Sequence, residues 1–297
     1  MKNKTTVIFI LGVFFYQISS FAFSYDISPI SNNFKKEMIA YGTYKSNCPV
    51  PPSRLRKIIF SYYDFEHNIH DDGILIVMDA VADNVVNIFK ELYENQFPIH
   101  KSKQIELYGG DDTLSLDDNN TSCFNCRLVV GGSELMSIHS YGLAIDINPW
   151  QNPYIVPDKE DDKKALVLPS KGLLYLNRTN LRPGMVEVIV HIFEKNGFTV
   201  WGGKWNNPID WQHFQPPRSV AKILATMDPN DAKKFFKLYT TNNSLFSKVP
   251  HDDQDFIDLY QKSRKSFMNV LQNNFEALNK LEPAAAIAFV KEKIQDL

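Results

Sequence analysis

The sequence predicts a domain that mixes short strands with helices, followed by a segment that is helical throughout. Short apolar runs of the length expected for buried strands occur between residues 74 and 201, with amphipathic helical patterns between them. Beyond about Pro217 the helical patterns become long and continuous. We therefore expect one mixed domain over residues 25–217 and a helical C-terminal extension over residues 218–297.

The composition is that of an ordinary globular protein. The chain has 297 residues, of which 44% are hydrophobic and 22% charged, and this excludes a disordered chain or a small disulfide-stapled scaffold. Lys and Arg number 32 against 34 Asp and Glu, so the net charge is -2. Because there is no basic excess, nucleic acid is not expected as a partner.

The first 24 residues are predicted to form a secretory signal peptide. Lys2 and Lys4 precede an apolar run at residues 7–15, and Ser20–Ser24 supplies small residues for cleavage. An uncleaved anchor helix is the alternative, but the run is short for a bilayer span of ~20 residues. No later stretch is long and apolar enough to span a membrane, so we expect a secreted or periplasmic mature protein.

The individual elements follow from the hydrophobic pattern. Residues 25–60 are expected to be rich in loops, with an extended proline-containing stretch at 48–52. The pattern predicts strands at 74–78, 128–130, 143–147 and 198–201, helices at 81–92 and 185–196, and an acidic loop at 111–120. Gly197 ends the second of these helices at the usual capping position.

The sequence contains three cysteines, Cys48, Cys123 and Cys126, whose pairing depends on the redox compartment of the protein. An exported protein meets an oxidising environment in which thiols pair, and an odd number leaves at least one free or paired between chains. Cys123 and Cys126 form a C-x-x-C sequence. A redox motif would follow a strand and open a helix, whereas here an Asn/Asp-rich loop precedes it and a strand follows. We expect a structural bridge or a buried thiol, with at most one internal disulfide.

Two short segments contain the residue types of a metal site. His139 precedes Asp146 by seven residues, and Asp146 lies in a predicted strand on the opposite face from its isoleucine neighbours. A carboxylate at such a position is costly to bury unless it is paired or bound to a cation. Asp210 and His213 lie three residues apart among large apolar residues. Two histidines and one aspartate leave the fourth position of a zinc ion open, which is the catalytic arrangement, although each pair taken alone is more often an ordinary hydrogen bond.

Together the two segments resemble the zinc DD-peptidase family. This family includes D-alanyl-D-alanine carboxypeptidases, D-Ala-D-Ala dipeptidases and L-alanyl-D-glutamate endopeptidases, and Hedgehog signalling domains share its fold. Its first motif, S-x-H-x-x-G-x-A-x-D, is matched at Ser137, His139, Gly142, Ala144 and Asp146. Its second motif, an acid three residues before a histidine, is matched at Asp210 and His213. The resemblance covers roughly Val50 to Pro217.

The resemblance implies an α+β fold, in which a small antiparallel sheet carries the metal site and helices pack on one side. It also implies that one zinc ion per chain is bound by three side chains, namely His139, Asp146 and His213. Asp210 would then be the general base. Arg127 is the nearest candidate for the arginine that polarises the scissile carbonyl, with a surface arginine as the alternative.

Two further residues are assigned to substrate binding. Ser137 would lie near the metal and hydrogen-bond the substrate. Tyr141 is expected in the wall of the pocket or in the core. The other histidines are expected to be structural or solvated, including the pair His67 and His70 in a polar stretch before the first predicted strand.

The expected activity is hydrolysis of peptidoglycan stem peptides, as a D-Ala-D-Ala carboxypeptidase or an L-Ala-D-Glu endopeptidase. The turn at Asn148–Pro153 resembles the branch that contains the L-Ala-D-Glu enzymes. One alternative is a non-catalytic zinc-containing binding module of the same fold, against which the presence of Asp210 argues. The other is a thiol-disulfide protein built on Cys123 and Cys126.

Overall fold

The polypeptide adopts the predicted α+β fold, with small, mostly antiparallel sheets and packed helices. The computed structural model describes residues 22–130, 134–158, 161, 164–241 and 254–295. The predicted signal peptide lies outside the described residues apart from its last three positions, so its cleavage stays a prediction.

The bounds of the elements are as follows. The strands are β1 (Tyr25–Pro29), β2 (Leu55–Tyr63), β3 (Ile69–Met78), β4 (Lys101–Ser102), β5 (Asn120–Thr121), β6 (Ile145–Asp146), β7 (Tyr154–Pro157), β8 (Ala165–Leu168), β9 (Val200–Trp201), β10 (Ile209–Asp210) and β11 (His213–Gln215). The α-helices are α1 (Asn32–Ala40), α2 (Ala82–Glu94), α3 (Asp112–Asp117), α4 (Val190–Lys195), α5 (Arg218–Thr226), α6 (Pro229–Thr241), α7 (Gln254–Lys262), α8 (Arg264–Leu278) and α9 (Pro283–Gln295). Short 3₁₀ helices occupy Pro52–Arg54, Asp79–Val81, Ile105–Tyr108, Ile138–Tyr141, Ser170–Tyr175, Val186–Ile189 and Gly202–Lys204.

The longest strands form a scaffold away from the metal-site residues. β1, β2 and β3 make an antiparallel sheet in that order, and β2 pairs with β3 along almost its whole length. The apolar face of α2, which includes Val85, Ile88 and Phe89, is buried in the same core as this sheet. The i, i+3, i+4 spacing of these residues is the reason that the helix was predictable from the sequence.

Two of the metal-site residues, Asp146 and His213, lie on short strands, and His139 lies in the 3₁₀ helix Ile138–Tyr141. One sheet has the order β6-β11-β9, and another has the order β10-β7-β8, both antiparallel. In the β6–β11 pair, Asp146 lies directly opposite His213. Residues in register across an antiparallel pair have Cβ atoms about 4.5–5.5 Å apart, so this pairing alone brings the two side chains together.

The C-terminal helices share a continuous hydrophobic core with the rest of the chain. Buried residues of this segment include Val220, Phe235, Phe236, Phe256 and Phe267. Arg54 anchors the segment, because its guanidinium donates to the carbonyls of Met227 at 2.6 Å and Leu224 at 3.2 Å while pairing with Asp79 at 2.8 Å. Among the described residues, none of the helices has the length and apolarity to cross a membrane.

Several of the predicted elements are confirmed and others are wrong. The strand at 74–78, the helix at 81–92 and the helices beyond Pro217 are present. Residues 25–60 are not rich in loops, because they contain β1, α1 and most of β2. α1 was missed because only Phe34 and Met38 face the core, too few to form an apolar stripe.

The remaining differences concern short elements near the site. The acidic loop at 111–120 contains α3, whose first turn is capped by the Asp111 carboxylate and whose only buried residue is Ser115. The strand predicted at 143–147 is reduced to Ile145–Asp146, and that at 198–201 to Val200–Trp201. In place of a strand at 128–130, Leu128 makes an isolated bridge with Met136. Periodicity cannot define such elements, because two residues contain no repeat.

Candidate metal centre

Asp146 is held between the two histidines predicted as its partners. Its Oδ1 lies 3.0 Å from Nδ1 of His213, and its Oδ2 lies 3.2 Å from Nε2 of His139. The backbone of Asp146 is fixed on one side by β11 and on the other by two hydrogen bonds with Ser122. The structure therefore brings together all three residues that the resemblance implied as ligands.

His139 is positioned by the short 3₁₀ helix at Ile138–Tyr141. Ser137 caps this helix, since its hydroxyl accepts a hydrogen bond from the His139 N–H at 3.3 Å. Gly142 ends it with a φ of +67°, and a Cβ at this position would lie 2.8 Å from the backbone nitrogen of Met78. The serine and glycine of the first motif thus fix the turn that presents the histidine.

The ring nitrogens facing away from the centre are both anchored. Nδ1 of His139 donates to the carbonyl of Cys123 at 2.6 Å, and Nε2 of His213 donates to Oε1 of Gln215 at 2.7 Å. We assign these protons from the acceptors, because a carbonyl oxygen can only accept. The nitrogens that face the Asp146 carboxylate are therefore Nε2 of His139 and Nδ1 of His213. Burial alone would lower the pKa of His213, but its hydrogen bond to Asp146 raises that pKa to about 8, so a cation would bind in exchange for a proton.

The donor set fits a zinc ion. The three ligand atoms of His139, Asp146 and His213 lie within 4.8 Å of one another, and all three residues are buried. Burial alone would raise the pKa of the Asp146 carboxyl, but the two imidazoles hold it well below its usual range. Two imidazoles oriented by outer hydrogen bonds and one ionised carboxylate match the ligands of catalytic zinc sites.

Asp210 lies beside this cluster without being part of it. Its Oδ2 is 3.9 Å from Nδ1 of His213, and its Oδ1 is buried with no hydrogen-bond partner in the protein. Burial raises the pKa of Asp210 to about 7, with His213 opposing the rise and the Asp146 charge adding to it. Gly202 permits this placement, since a Cβ there would lie 2.4 Å from the Asp210 carbonyl oxygen.

The cluster opens into a cleft of about 950 Å³. Among the residues that line it are Arg127, Ser137, Trp205 and Gln215. Trp205 packs against His213, with ring centroids 5.4 Å apart. Such a cleft is large enough for a short peptide, and its concave shape around the cluster is typical of ligand sites.

Of the other predicted site residues, Arg127 and Ser137 line the cleft and Tyr141 does not. Arg127 reaches the cleft and pairs with Asp112 at 2.9 Å, while its Nε has no partner. Ser137 also lines the cleft, although its hydroxyl caps the His139 turn. Tyr141 is buried in the hydrophobic core and does not line the cleft, so its expected substrate-binding role has no geometric support.

Unpartnered polar atoms are concentrated in this cleft. Five buried side-chain atoms of the described residues have no hydrogen-bond partner in the protein. Four of them belong to residues that line the cleft, namely Arg127, Asp210, Gln212 and Ser219. Because a buried polar group without a partner costs free energy, their concentration here indicates a surface built for a ligand.

The cysteines do not form a redox pair. Cys126 is bonded to Cys48, and Cys123 is a buried free thiol whose pKa is raised by burial. The single internal disulfide and the buried thiol agree with the sequence-based expectation. The C-x-x-C sequence therefore has a structural role, and the Cys123 carbonyl orients His139.

Sequence reasoning missed two residues that shape the centre, Gln215 and Gly202. Gln215 lies two residues after His213 on the same strand, so the two side chains share a face. That alternation was a signal available in the sequence. No local pattern marks the close approach of Gly202 to Asp210, because the contact joins two separate segments.

The comparisons with known proteins agree with this geometry. Residues 131–216 match the model of a family described as D-alanyl-D-alanine carboxypeptidase. No curated protein and no solved structure matches the chain. The matched segment contains His139, Asp146, Asp210 and His213, so this part of the chain is similar to the D-alanyl-D-alanine carboxypeptidase family.

Proposed function

We propose that this protein is an exported, zinc-dependent peptidase that cleaves the stem peptides of peptidoglycan. The bond would be the one cut by D-Ala-D-Ala carboxypeptidases or by L-Ala-D-Glu endopeptidases. The observation that carries the proposal is the convergence of Nε2 of His139, the Asp146 carboxylate and Nδ1 of His213 beside Oδ1 of Asp210, a buried oxygen with no hydrogen-bond partner among the described residues.

The three converging side chains would hold the zinc ion. When bound, zinc lowers the pKa of a coordinated water and polarises a carbonyl group. Asp210 would accept the proton of the attacking water on its unpartnered oxygen and deliver it to the leaving amine. A carboxylate suits both steps, because its ionised form accepts a proton and its protonated form releases one.

Arg127 is proposed to stabilise the negative charge that develops on the scissile carbonyl oxygen. Its guanidinium lines the cleft, and its ion pair with Asp112 restricts the motion of the side chain. A fixed cation in a water-poor cleft stabilises such a charge without reorganisation. The buried, unpartnered Nε of Arg127 is a further donor available to a ligand.

Export is proposed from two independent features. The first is the predicted signal peptide over residues 1–24. The second is the disulfide between Cys48 and Cys126, since such bonds persist in oxidising compartments. Secretion or a periplasmic location would place the enzyme beside its proposed substrate.

A zinc-containing binding module of the same fold is the second candidate. It needs the three ligands but gives no reason to bury the Asp210 carboxylate with its Oδ1 lacking a hydrogen-bond partner among the described residues, at a cost in stability. The test is incubation of the purified protein with defined muropeptides, followed by mass spectrometry of the products. Loss of a terminal D-Ala or separation of L-Ala from D-Glu supports the proposal, whereas intact muropeptides with zinc bound would favour the binding module.

A further inference from the structure

The first turn of helix α5 faces the same cleft as the metal-site residues. Two prolines, Pro216 and Pro217, connect the strand that carries His213 directly to this helix. Arg218 and Ser219, its first two residues, both line the cleft. Ser219 is 2% exposed, and its hydroxyl has no hydrogen-bond partner within the part of the chain that the structure describes.

This helix terminus has the properties of an anion site. Pro217 supplies no side-chain cap, and the first turn contains no acidic residue. The first N–H groups of a helix lack partners within it, and the helix dipole adds positive potential at this end. Arg218 is held nearby, because its guanidinium donates to the Met136 carbonyl at 2.8 Å. Together with the unpartnered Ser219 hydroxyl, these groups offer several donors to one anion.

We propose that Arg218, Ser219 and the first turn of α5 bind the free α-carboxylate of the residue whose amine is the leaving group. This inference rests on the proposed function. In both reactions considered, the leaving nitrogen is attached to a carbon that bears a free α-carboxylate, in D-Ala in one case and in γ-linked D-Glu in the other. A carboxylate beside the scissile bond is thus common to both substrates.

Arg127 is assigned to another task, because its charge acts on Asp210 beside the metal-site residues. Arg218 and Ser219 also lie beyond the segment that matches the family model, which ends at residue 216. The C-terminal extension would therefore complete the substrate cleft.

The test compares an acid with its amide in binding and does not require turnover. The zinc-loaded Asp210→Asn protein is titrated calorimetrically with N-acetyl-D-Ala-D-Ala and its C-terminal amide. A second pair is N-acetyl-L-Ala-D-Glu and its α-amide. We expect one acid to bind about 10- to 100-fold more tightly than its amide, the range for charge-assisted hydrogen bonds.

Two further substitutions test which side chains cause the tighter binding of the acid. Arg218→Gln keeps a donor for Met136 but removes the charge, and Ser219→Ala removes the unpartnered hydroxyl. Each should reduce the preference for the acid. Lys222→Gln is the matched control, because it removes one positive charge from the same helix at a residue that does not line the cleft. Ser219→Ala should leave the melting temperature unchanged or raised, since no hydrogen bond within the protein is lost.

The outcomes separate this inference from the proposed function. Equal binding of acid and amide, binding of neither pair, or a preference unchanged in both variants overturns the carboxylate site even if muropeptides are cleaved. A preference that depends on Arg218 and Ser219 without any muropeptide cleavage by the native protein supports the site and contradicts the proposed function. If Arg218→Gln does not fold, Ser219→Ala decides the result.

Discussion

His139 and His213 approach each other through different ring nitrogens, with Nε2 of His139 3.2 Å from Nδ1 of His213. Their remaining nitrogens are bound to the Cys123 carbonyl and the Gln215 amide oxygen. These outer hydrogen bonds turn Nε2 of His139 and Nδ1 of His213 toward the Asp146 carboxylate. Hydrogen bonds of this kind orient the histidines of metal sites in proteins.

The first prediction concerns metal content. We expect about one zinc ion per chain in the purified protein, and His139→Ala or Asp146→Ala should remove it, because either change leaves only two protein ligands. Elemental analysis of the native protein and both variants measures this. Well-folded native protein without zinc, after growth in zinc-replete medium, would contradict the metal assignment.

The second prediction concerns Gln215. Gln215→Leu removes the acceptor that holds the proton on Nε2 of His213, so the orientation and basicity of the ligating nitrogen are lost while side-chain size is nearly kept. Zinc affinity should fall about 10- to 100-fold, measured by competition with a chromophoric chelator. The cleft residue Thr113, whose hydroxyl has no role in the centre, provides a control as Thr113→Val. Unchanged affinity in Gln215→Leu would show that this hydrogen bond does not tune the site.

The third prediction separates Asp210 from the ligands. Asp210→Asn is nearly isosteric and should retain zinc, because the three ligands are untouched. Turnover should drop by ~10²–10⁴-fold, the range for loss of a general base, with the loss in kcat more than in KM. Zinc titration and muropeptide kinetics on the same preparation measure both effects. Loss of zinc in this variant would instead assign Asp210 to the support of His213, and normal turnover would remove it from the mechanism.

The fourth prediction concerns the pH dependence of stability in the metal-free protein. Burial raises the pKa of Asp210 to about 7, whereas an unfolded aspartate titrates near ~3.9. Folding therefore favours the protonated form, and the native state should lose stability as pH rises from about 4 to 7. Asp210→Asn lacks this titration, so its advantage over the native protein in urea unfolding should grow across that window. A constant difference between the two proteins would show that Asp210 is not held in a strongly unfavourable environment.

The fifth prediction concerns the cysteines. The Cys48–Cys126 bond closes a separation of 78 residues, so Cys48→Ser should destabilise the fold by about 2–5 kcal/mol. Cys123 is fully enclosed with a raised pKa, and its thiol should resist iodoacetamide until the protein is unfolded. Mass spectrometry of native and denatured samples tests the labelling. Loss of hydrolysis in Cys123→Ser with zinc and fold intact would imply thiol chemistry that the structure does not support.

The site was more predictable from the sequence than the elements that carry it. His139 and Asp146 lie in one short motif, and Asp210 and His213 lie in another, so residue type and spacing were sufficient to nominate them. The strands that hold Asp146, Asp210 and His213 are only two or three residues long, and His139 lies in a four-residue 3₁₀ helix. No hydrophobic period can be detected over such lengths. α3 was not predicted for a related reason. It is capped by Asp111 and has no apolar face, so the sequence shows no helical hydrophobic period there.

By itself, the sequence determined the fold class and nominated the four residues of the candidate centre. It also showed the resemblance to a peptidase family and limited three cysteines to at most one internal disulfide. These properties depend on residue identity and near-neighbour spacing, which the chain displays directly. Only the tertiary structure decided that Cys48 pairs with Cys126, that Tyr141 lies in the core and that Arg218 and Ser219 enter the cleft. Each of these depends on the distance between segments that are far apart in the chain. That distance is set by strand register and by the packing of the C-terminal helices on the common core.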